Sequence, residues 1–329
     1  MSAILLRTRG YDLNNKPTII KKQLPKGVGF WRDGMRRLIH HRLAMLCLVI
    51  IAAYFAIAGF VYLAETFKWQ LPIVDWSNQV GAEYQAPSKA NIFGTDFLGR
   101  SVLRKAIYGT KISITVALWA SLISILIGVP LGAIAGYFRG FVDEIIVWLY
   151  TTLSSIPYIL LILAFALVLK DKRINLGWAH LGVYELSGIT SVYLAMGLTS
   201  WVGICRLIRG EVIKHKEREY VLAARSYGCK NSRIIFRHLI PNVSHIIIID
   251  FSLRFVSFIQ AEVILSFLGL GAKNQPSWGA MIDSARLDLP KGYWWEMTAA
   301  TVAIFFISLA LNIFGDALRD SLDPKLRVQ

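Results

Sequence analysis

The 329-residue sequence has few cysteines and few sites where chemistry could occur. Its three cysteines, Cys47, Cys205 and Cys229, are odd in number and have no CxxC spacing, which argues against a disulfide framework or a zinc site. The six histidines form no HExxH motif, and no paired carboxylates suited to acid–base catalysis are visible. We therefore expect no catalytic residue, no metal site and no cofactor bound by this chain.

Charged residues are also scarce, and long apolar runs take their place. Charged residues make up 17% of the chain and hydrophobic residues 55%, against about 25% and roughly 45–50% in soluble domains. This composition indicates a membrane protein. The first apolar run follows about forty mostly polar residues, too far along the chain for an ordinary signal peptide, so we expect a retained anchor.

Six segments are long enough to cross a bilayer, which takes about 20 apolar residues. They lie at about 43–64, 112–136, 145–169, 189–208, 246–270 and 298–315. We predict an all-α integral membrane protein with six transmembrane helices. The segments divide the chain into a basic tail (1–42), a first helix (43–64), a loop with an interfacial helix over 97–109 (65–111), a five-helix core (112–315) and a C-terminal tail (316–329).

The distribution of Lys and Arg predicts the orientation. The tail 1–42 and the loop 209–245 are both rich in these residues. The positive-inside rule therefore places this loop and both termini in the cytoplasm. Residues Ala224, Gly228 and Ile234 have the spacing of a DNA-binding helix-turn-helix, but the segment is tethered between two predicted spans, and its charge already has a topological cause. We expect a lipid membrane around the chain and no nucleic acid as a partner.

The sequence EYVLAARSYGCKNSRIIFRHLIPN, residues 219–242, interrupts the apolar runs. Tyr220, Ala223, Ala224 and Tyr227 recur at helical spacing and predict a face that another protein can approach closely. Gly228 suits the left-handed turn that ends a helix. A second short helix, capped by Asn231 or Ser232, is expected to end before Pro241. The segment is therefore predicted to be a docking surface.

Several residues inside the predicted spans indicate how the helices pack and where a solute pathway could lie. Gly128, Gly132 and Gly136 repeat every four residues and favour close approach of another helix. Pro157 removes a backbone hydrogen bond and favours a kink. Asp250 and Arg254 are expected to pair on one helix face, whereas Glu262 has no partner at helical spacing. Glu262 either contacts a polar group on another span or lines a pathway; our hypothesis is that it faces the pathway, with Pro157 as a second candidate.

Seven blocks in order resemble one family over roughly residues 91–327. They are FGTDFLGRSVLRKAIYGTKIS (93–113), GYFRGFVDE (136–144), SSIPYILL (154–161), LTSWVGICRLIRGEV (198–212), EVILSFLGLG (262–271), PSWGAMI (276–282) and GDALRDSLDPKLR (315–327). They are similar to the C-type permease subunit of ATP-binding-cassette importers for peptides, nickel and opines. Ala223, Ala224, Gly228 and Pro241 match the cytoplasmic coupling loop of that family. Leu222 stands where the family has an acid, and Glu219 is the nearest substitute.

The resemblance implies the fold, the partners and the roles of residues. The fold would be that of a type I importer permease, and this chain would form half of a pore with a second, homologous permease. Two ATPase subunits would bind ATP and Mg and would dock on the 210–242 loop; the chain itself has no GxxxxGK[ST] phosphate loop. The docking residues implied are Glu219, Tyr220, Ala223, Ala224, Arg225, Gly228 and Pro241.

The resemblance also implies an extracytoplasmic partner and a location. A solute-binding protein would dock on the 65–111 and 272–297 loops, with Trp278, Trp294 and Trp295 at interface depth. The location would be the bacterial cytoplasmic membrane. The alternative is a secondary transporter that works without an ATPase, but this needs coupling carboxylates and usually inverted repeats, and only Glu262 is a candidate. The solute stays open among dipeptides, oligopeptides, nickel, opines, glutathione and antimicrobial peptides.

Overall fold

A computed structural model describes residues 30–69, 71–170, 173–175, 183–185, 188–271 and 275–322. The ends of both predicted tails, 1–29 and 323–329, therefore lie outside the described residues. The elements in chain order are α1 (Phe30–His40), α2 (Arg42–Thr66), α3 (Val102–Phe138), α4 (Phe141–Ser154), α5 (Tyr158–Leu169), β1 (Arg173–Asn175), β2 (Val183–Glu185), α6 (Gly188–His215), α7 (Glu219–Ser226), α8 (Asn231–Arg233), a π-helical segment (Ile234–Leu239), α9 (Ile240–Phe267), α10 (Trp278–Asp288), a 3-10 turn (Leu289–Lys291) and α11 (Trp295–Leu322).

The described helices give four or five candidate spans, where the sequence predicts six. Helices α2, α3, α6 and α11 are long and apolar enough to cross a membrane. Helices α4 and α5 pass the same test only together, as a pair bent by 93°. Helix α9 is not among the candidates, and it carries Asp250, Arg254 and Glu262. The molecule is therefore a helical membrane protein in which the third predicted span is broken near Pro157.

The protein is helical, as predicted, and the described residues add one short antiparallel pair, β1 and β2, in which Arg173 lies opposite Glu185. Pairing satisfies the backbone groups of these two segments. Residues 102–109 of the predicted interfacial helix belong to α3, which begins at Val102 and continues unbroken for 37 residues to Phe138. Lys105 and Lys111, both on α3, are buried and paired with carboxylates.

Helices α3 and α6 form the centre of the bundle and pack along most of their lengths. Gly128, Gly132 and Gly136 all lie on the face of α3 that meets α6. At Gly132 an added Cβ would lie 3.1 Å from the Cα and the carbonyl carbon of Cys205, and closer still to its oxygen. Small residues at this spacing let two backbones approach closely in a membrane. Pro130 lies inside α3 without ending it.

Candidate coupling surface and polar contacts within the bundle

Helix α7 ends in a tight left-handed turn at Gly228. This residue has a φ of +72°, and the amide of Cys229 donates to the carbonyl oxygen of Ala224 at 3.1 Å. A hydrogen bond of this kind satisfies a carbonyl group in the last turn of a helix that is followed by a left-handed residue. The turn predicted from the sequence is therefore confirmed, and it sets the direction in which the chain leaves α7.

The second helix of the segment differs from the prediction at both ends. Neither Asn231 nor Ser232 caps it, because Lys230 precedes the first helical residue and no side chain accepts from the first turn. The helix also does not end before Pro241, which lies in the first turn of α9. The π-helical segment 234–239 joins α8 to α9, with the amide of Ile240 bonded to the carbonyl of Ile235. Proline is tolerated in a first helical turn, so the helix continues into the membrane domain.

The exposed face of the segment is not the one predicted. Ala224 is buried, and Tyr220 is half-buried with its hydroxyl 3.0 Å from Nδ1 of His215. Burial raises the pKa of Tyr220. Only Ala223 and Tyr227 of the predicted face are exposed. We define the coupling surface as the exposed residues Glu219, Leu222, Ala223, Arg225, Tyr227, Gly228, Phe236 and Pro241. Polar and basic residues of the same segment are also exposed, namely Ser226, Lys230, Asn231, Ser232, Arg233 and Arg237.

Large apolar side chains stand out on the coupling surface. The side chain of Tyr227 is 89% exposed, Phe236 56% and Leu222 48%. Beneath them, Val221 and Ala224 pack on Ile234, Ile235 and Leu239 in one buried cluster. Apolar groups that are exposed while their neighbours on the same helices are buried mark a surface suited to a protein partner.

Tyr137, at the end of α3, fixes the coupling segment to the bundle, and it is a residue that the sequence argument missed. Its hydroxyl donates to Oδ1 of Asn231 at 2.8 Å, and its carbonyl oxygen accepts from Nζ of Lys216 at 2.8 Å. The guanidinium of Arg225 lies 5.7 Å from the centre of its ring. Burial lowers the pKa of Lys216. The only sequence signal was the place of Tyr137 in the block GYFRGFVDE.

An ion pair links the start of α4 to α6 near the same end of the bundle. Nε and Nη2 of Arg209 donate to the two oxygens of Asp143 at 2.6 and 2.7 Å. Two parallel bonds of this kind restrict relative movement more than a single contact does. Helices α3 and α6 therefore contact the coupling segment directly, and α4 is bound to α6 beside it.

Glu262 lies inside the chain, with 2% of its surface exposed. Ser266 donates to Oε1 at 2.7 Å and Ser113, on α3, donates to Oε2 at 2.9 Å. The expectation that Glu262 lacks a partner at helical spacing is therefore wrong, because Ser266 is four residues on. Of the two alternatives, contact with a polar group on another helix is the one that this geometry fits.

Arg254 and Asp250 form the expected pair on one face of α9. Nε of Arg254 donates to Oδ2 of Asp250 at 2.5 Å and Nη2 donates to Oδ1 at 3.2 Å. Nη1 donates to the carbonyl oxygen of Ser200 on α6 at 2.9 Å. The prediction of this pair is confirmed. The guanidinium borders a cavity of about 600 Å³ that also includes Pro157, at the break between α4 and α5.

A buried ionic cluster holds the segment before α3 against the start of α11. Nζ of Lys105 donates to Oδ2 of Asp96 at 2.9 Å and also contacts Oε1 of Glu296. Burial opposes ionisation of Asp96, but Lys105 and Arg100 outweigh it and lower its pKa. The four side chains join parts of the chain that are far apart in sequence.

The tryptophans expected at interface depth do not share one environment. Trp278 is fully buried and donates to the carbonyl oxygen of Ala106 at 3.1 Å. Trp295 is also buried and donates to the carbonyl oxygen of Thr95 at 2.8 Å. Only Trp294 is exposed. The N–H groups of Trp278 and Trp295 are therefore satisfied inside the protein.

A bundle of apolar helices with a rigidly held, partly apolar coupling surface has the form of a membrane-embedded transport subunit. In the part of the chain described by the structure, no three His, Cys, Asp or Glu side chains are grouped so as to hold a metal ion. Residues 128–328 match the family described as binding-protein-dependent transport system inner membrane component. Residues 29–87 match the N-terminal TM domain of oligopeptide transport permease C.

Curated relatives cover nearly the whole chain. A dipeptide transport system permease protein of Bacillus subtilis is 36% identical over 91% of this chain and 87% of its own length. An oligopeptide transport system permease protein of the same organism is 33% identical over 92% of each chain. A glutathione transport system permease protein of Pectobacterium atrosepticum is 32% identical over 90% of this chain and 92% of its own length.

The chain belongs to the family of inner membrane components of binding-protein-dependent transport systems. It is the permease component of an ATP-binding-cassette importer, and it works with separate ATPase and solute-binding proteins. The resemblance recognised from the seven sequence blocks is confirmed.

Proposed function

We propose that this permease imports peptides or related small solutes such as glutathione. The relatives named for dipeptide, oligopeptide and glutathione transport support this class of solute. The observation that carries the mechanism is the coupling surface, a partly apolar surface whose segment is joined to α3 by the Tyr137–Asn231 hydrogen bond and to α6 by the contact between His215 and Tyr220.

An ATPase subunit docks on the coupling surface and moves it when the ATP site closes. Leu222, Tyr227 and Phe236 supply apolar contact area, and Glu219 and Arg225 supply charge at its edge. The left-handed turn at Gly228 fixes the angle between α7 and the helix that continues into α9. Because α8, the π-helical segment and α9 are continuous, a displacement of the surface passes directly to a helix of the bundle. The result is a rigid-body shift between inward- and outward-facing states.

The proposed assembly contains this chain, a second homologous permease, two ATPase subunits and an extracytoplasmic solute-binding protein. In it, α9 and the bent pair α4–α5 complete six crossings, and both termini lie in the cytoplasm with the coupling surface. Ionisable residues on α9 are compatible with a crossing because Glu262 is buried and Arg254 is paired. Glu262 then stabilises packing, whereas Pro157 lies at the pathway.

Affinity co-purification from the native membrane tests the docking role. Tyr227→Asp places a charge in the coupling surface, and Gly228→Asp strains the turn beside it, yet neither changes the packing within the bundle. We expect both variants to lose the ATPase subunits and keep the second permease. Leu287→Asp is the matched control, because Leu287 is 66% exposed on α10, outside the coupling segment.

Two results would contradict the proposal, one from the co-purification and one from a transport assay with the purified chain in vesicles. If the Tyr227→Asp and Gly228→Asp chains retain the ATPase as the control does, docking occurs elsewhere on the chain. If the wild-type chain alone in vesicles imports solute, the chain is a self-sufficient transporter.

A further inference from the structure

The cavity beside the broken helix is bordered by polar groups from four helices. It has a volume of about 600 Å³ and opens between the α4–α5 break and the faces of α6 and α9. Its polar lining consists of Ser154, Ser155, Tyr158, Thr199, Ser200, Arg254 and Ser257. Ser155 and Ser257 are exposed, and the hydroxyl of Tyr158 lies 3.1 Å from that of Ser200.

If α4 and α5 together cross the membrane, as proposed above, the break exposes backbone at a depth where a bilayer offers no hydrogen bonds. The end of α4 leaves carbonyl groups without an intrahelical partner, and among the described residues no backbone N–H donates to the carbonyl oxygen of Ser155. Pro157 has no N–H to offer. Irregular backbone inside a membrane is tolerated only where protein covers it or where it lines a water-filled cavity. Because Ser155 and Pro157 are exposed in this chain, protein does not cover this backbone, and we infer that it lines a water-filled cavity.

The guanidinium of Arg254 keeps hydrogen-bonding capacity on the cavity side. It has five N–H groups, of which two donate to Asp250 and one to the carbonyl oxygen of Ser200. The other two have no acceptor among the described residues. Gly203 makes room for this head group, since a Cβ at that position would lie 2.8 Å from Nη2. The side chain is 18% exposed, so a molecule in the cavity can reach it.

We propose that this cavity is a water-filled solute-contact site in which Arg254 donates to carbonyl or carboxylate oxygens of a passing peptide-like solute. The inference rests on the proposed function and names the residues that meet the solute. Asp250 cancels the charge of Arg254, so the site attracts acceptor oxygens without holding an anion tightly. A transport site has to bind weakly enough for the solute to leave.

Water access tests the site without any assumption about the solute. Ser257→Cys and the control Leu126→Cys are compared in a Cys229→Ser background, because Cys47 and Cys205 are buried. Leu126 is 75% exposed on α3 but lies outside the cavity lining. In the assembled importer, we expect a charged methanethiosulfonate reagent to modify Ser257→Cys at least about tenfold faster, because charged reagents stay in water. Equal rates would overturn the proposal and would mean that the partner permease or lipid covers the cavity.

Transport of a labelled alanine tripeptide tests the role of Arg254. The double variant Asp250→Asn/Arg254→Gln removes both charges together, so that neither is left buried alone. We expect uptake to fall about tenfold, the effect of losing one hydrogen bond to a charged group, with unchanged recovery of the complex. The control Arg319→Gln/Asp320→Asn removes one charge of each sign from the exposed end of α11, outside the cavity and the docking segments, and should import normally. Normal uptake by the first double variant would overturn the role of Arg254.

The two tests also separate this inference from the proposed function. If the wild-type importer takes up no tripeptide but Ser257→Cys is modified rapidly, the proposed solute class is wrong and the water-filled site stands. If the wild-type importer takes up tripeptide and Ser257→Cys reacts as slowly as Leu126→Cys, peptide import stands and the site is wrong.

Discussion

The substitution Gly132→Ala tests the central contact between α3 and α6. The new Cβ would lie 3.1 Å from two backbone atoms of Cys205 and closer still to its carbonyl oxygen. All three atoms belong to the backbone, so no side chain can rotate away and the helices have to separate. Overpacking of this kind costs typically about 1–3 kcal/mol, and the absence of a movable neighbour favours the upper end.

The helical preference of alanine offsets part of this cost. Alanine is more favourable than glycine inside a helix by roughly 0.8–1.0 kcal/mol. The net loss for Gly132→Ala is therefore about 2 kcal/mol. At roughly 2–4 °C per kcal/mol, the midpoint of thermal unfolding should fall by about 4–8 °C.

Thermal unfolding of the detergent-solubilised chain, followed by size-exclusion chromatography, measures this difference. Gly59→Ala is the matched control, because Gly59 lies in α2 with no atom within 4 Å of an added Cβ. We expect Gly59→Ala to leave the midpoint unchanged or to raise it. If Gly132→Ala is as stable as Gly59→Ala, the close packing of α3 on α6 is not what stabilises the bundle.

Three further predictions follow from other contacts. Lys105→Met leaves Asp96 and Glu296 buried without their cation, and should cost about 3–5 kcal/mol, seen as loss of folded chain from the membrane. Glu262→Gln should leave solute uptake unchanged, because the residue stabilises packing. Tyr84 has a pKa raised to about 12 by burial and by Asp288; because the ordinary value is about 10, its stabilising effect relative to Tyr84→Phe should be constant below pH 10 and should decline between pH 10 and about 12.

Each of these predictions has a control or a contrary result. Lys214→Met removes an exposed pair with Glu211 and should change stability by less than about 1 kcal/mol. A Lys105→Met chain as stable as Lys214→Met would show that the buried cluster contributes little. Altered solute preference in Glu262→Gln would restore the pathway hypothesis. If the stability difference between wild type and Tyr84→Phe is the same at pH 10 and at about pH 12, the hydrogen bond from Tyr84 to Asp288 does not stabilise the protein.

The sequence identified the features that depend on neighbouring positions along one element. The left-handed turn at Gly228 needs only the end of one helix, and the pairing of Asp250 with Arg254 needs only a spacing of four residues. The family could likewise be recognised from ordered blocks of sequence. The same local reasoning erred at Pro241, because a proline in a first helical turn and a proline after a last turn look alike in sequence.

Only the tertiary structure decided which distant residues meet. Glu262 accepts a hydrogen bond from Ser113, 149 positions away in the sequence, and Lys105 donates one to Glu296, 191 positions away. The same is true of Tyr137 and Asn231, which fix the coupling surface. Periodicity shows which face of a helix is apolar, but it carries no information on which helix covers that face. The sequence therefore determined the class of protein and its local turns, and long-range packing determined which side chains are buried, which are exposed and where the cavity lies.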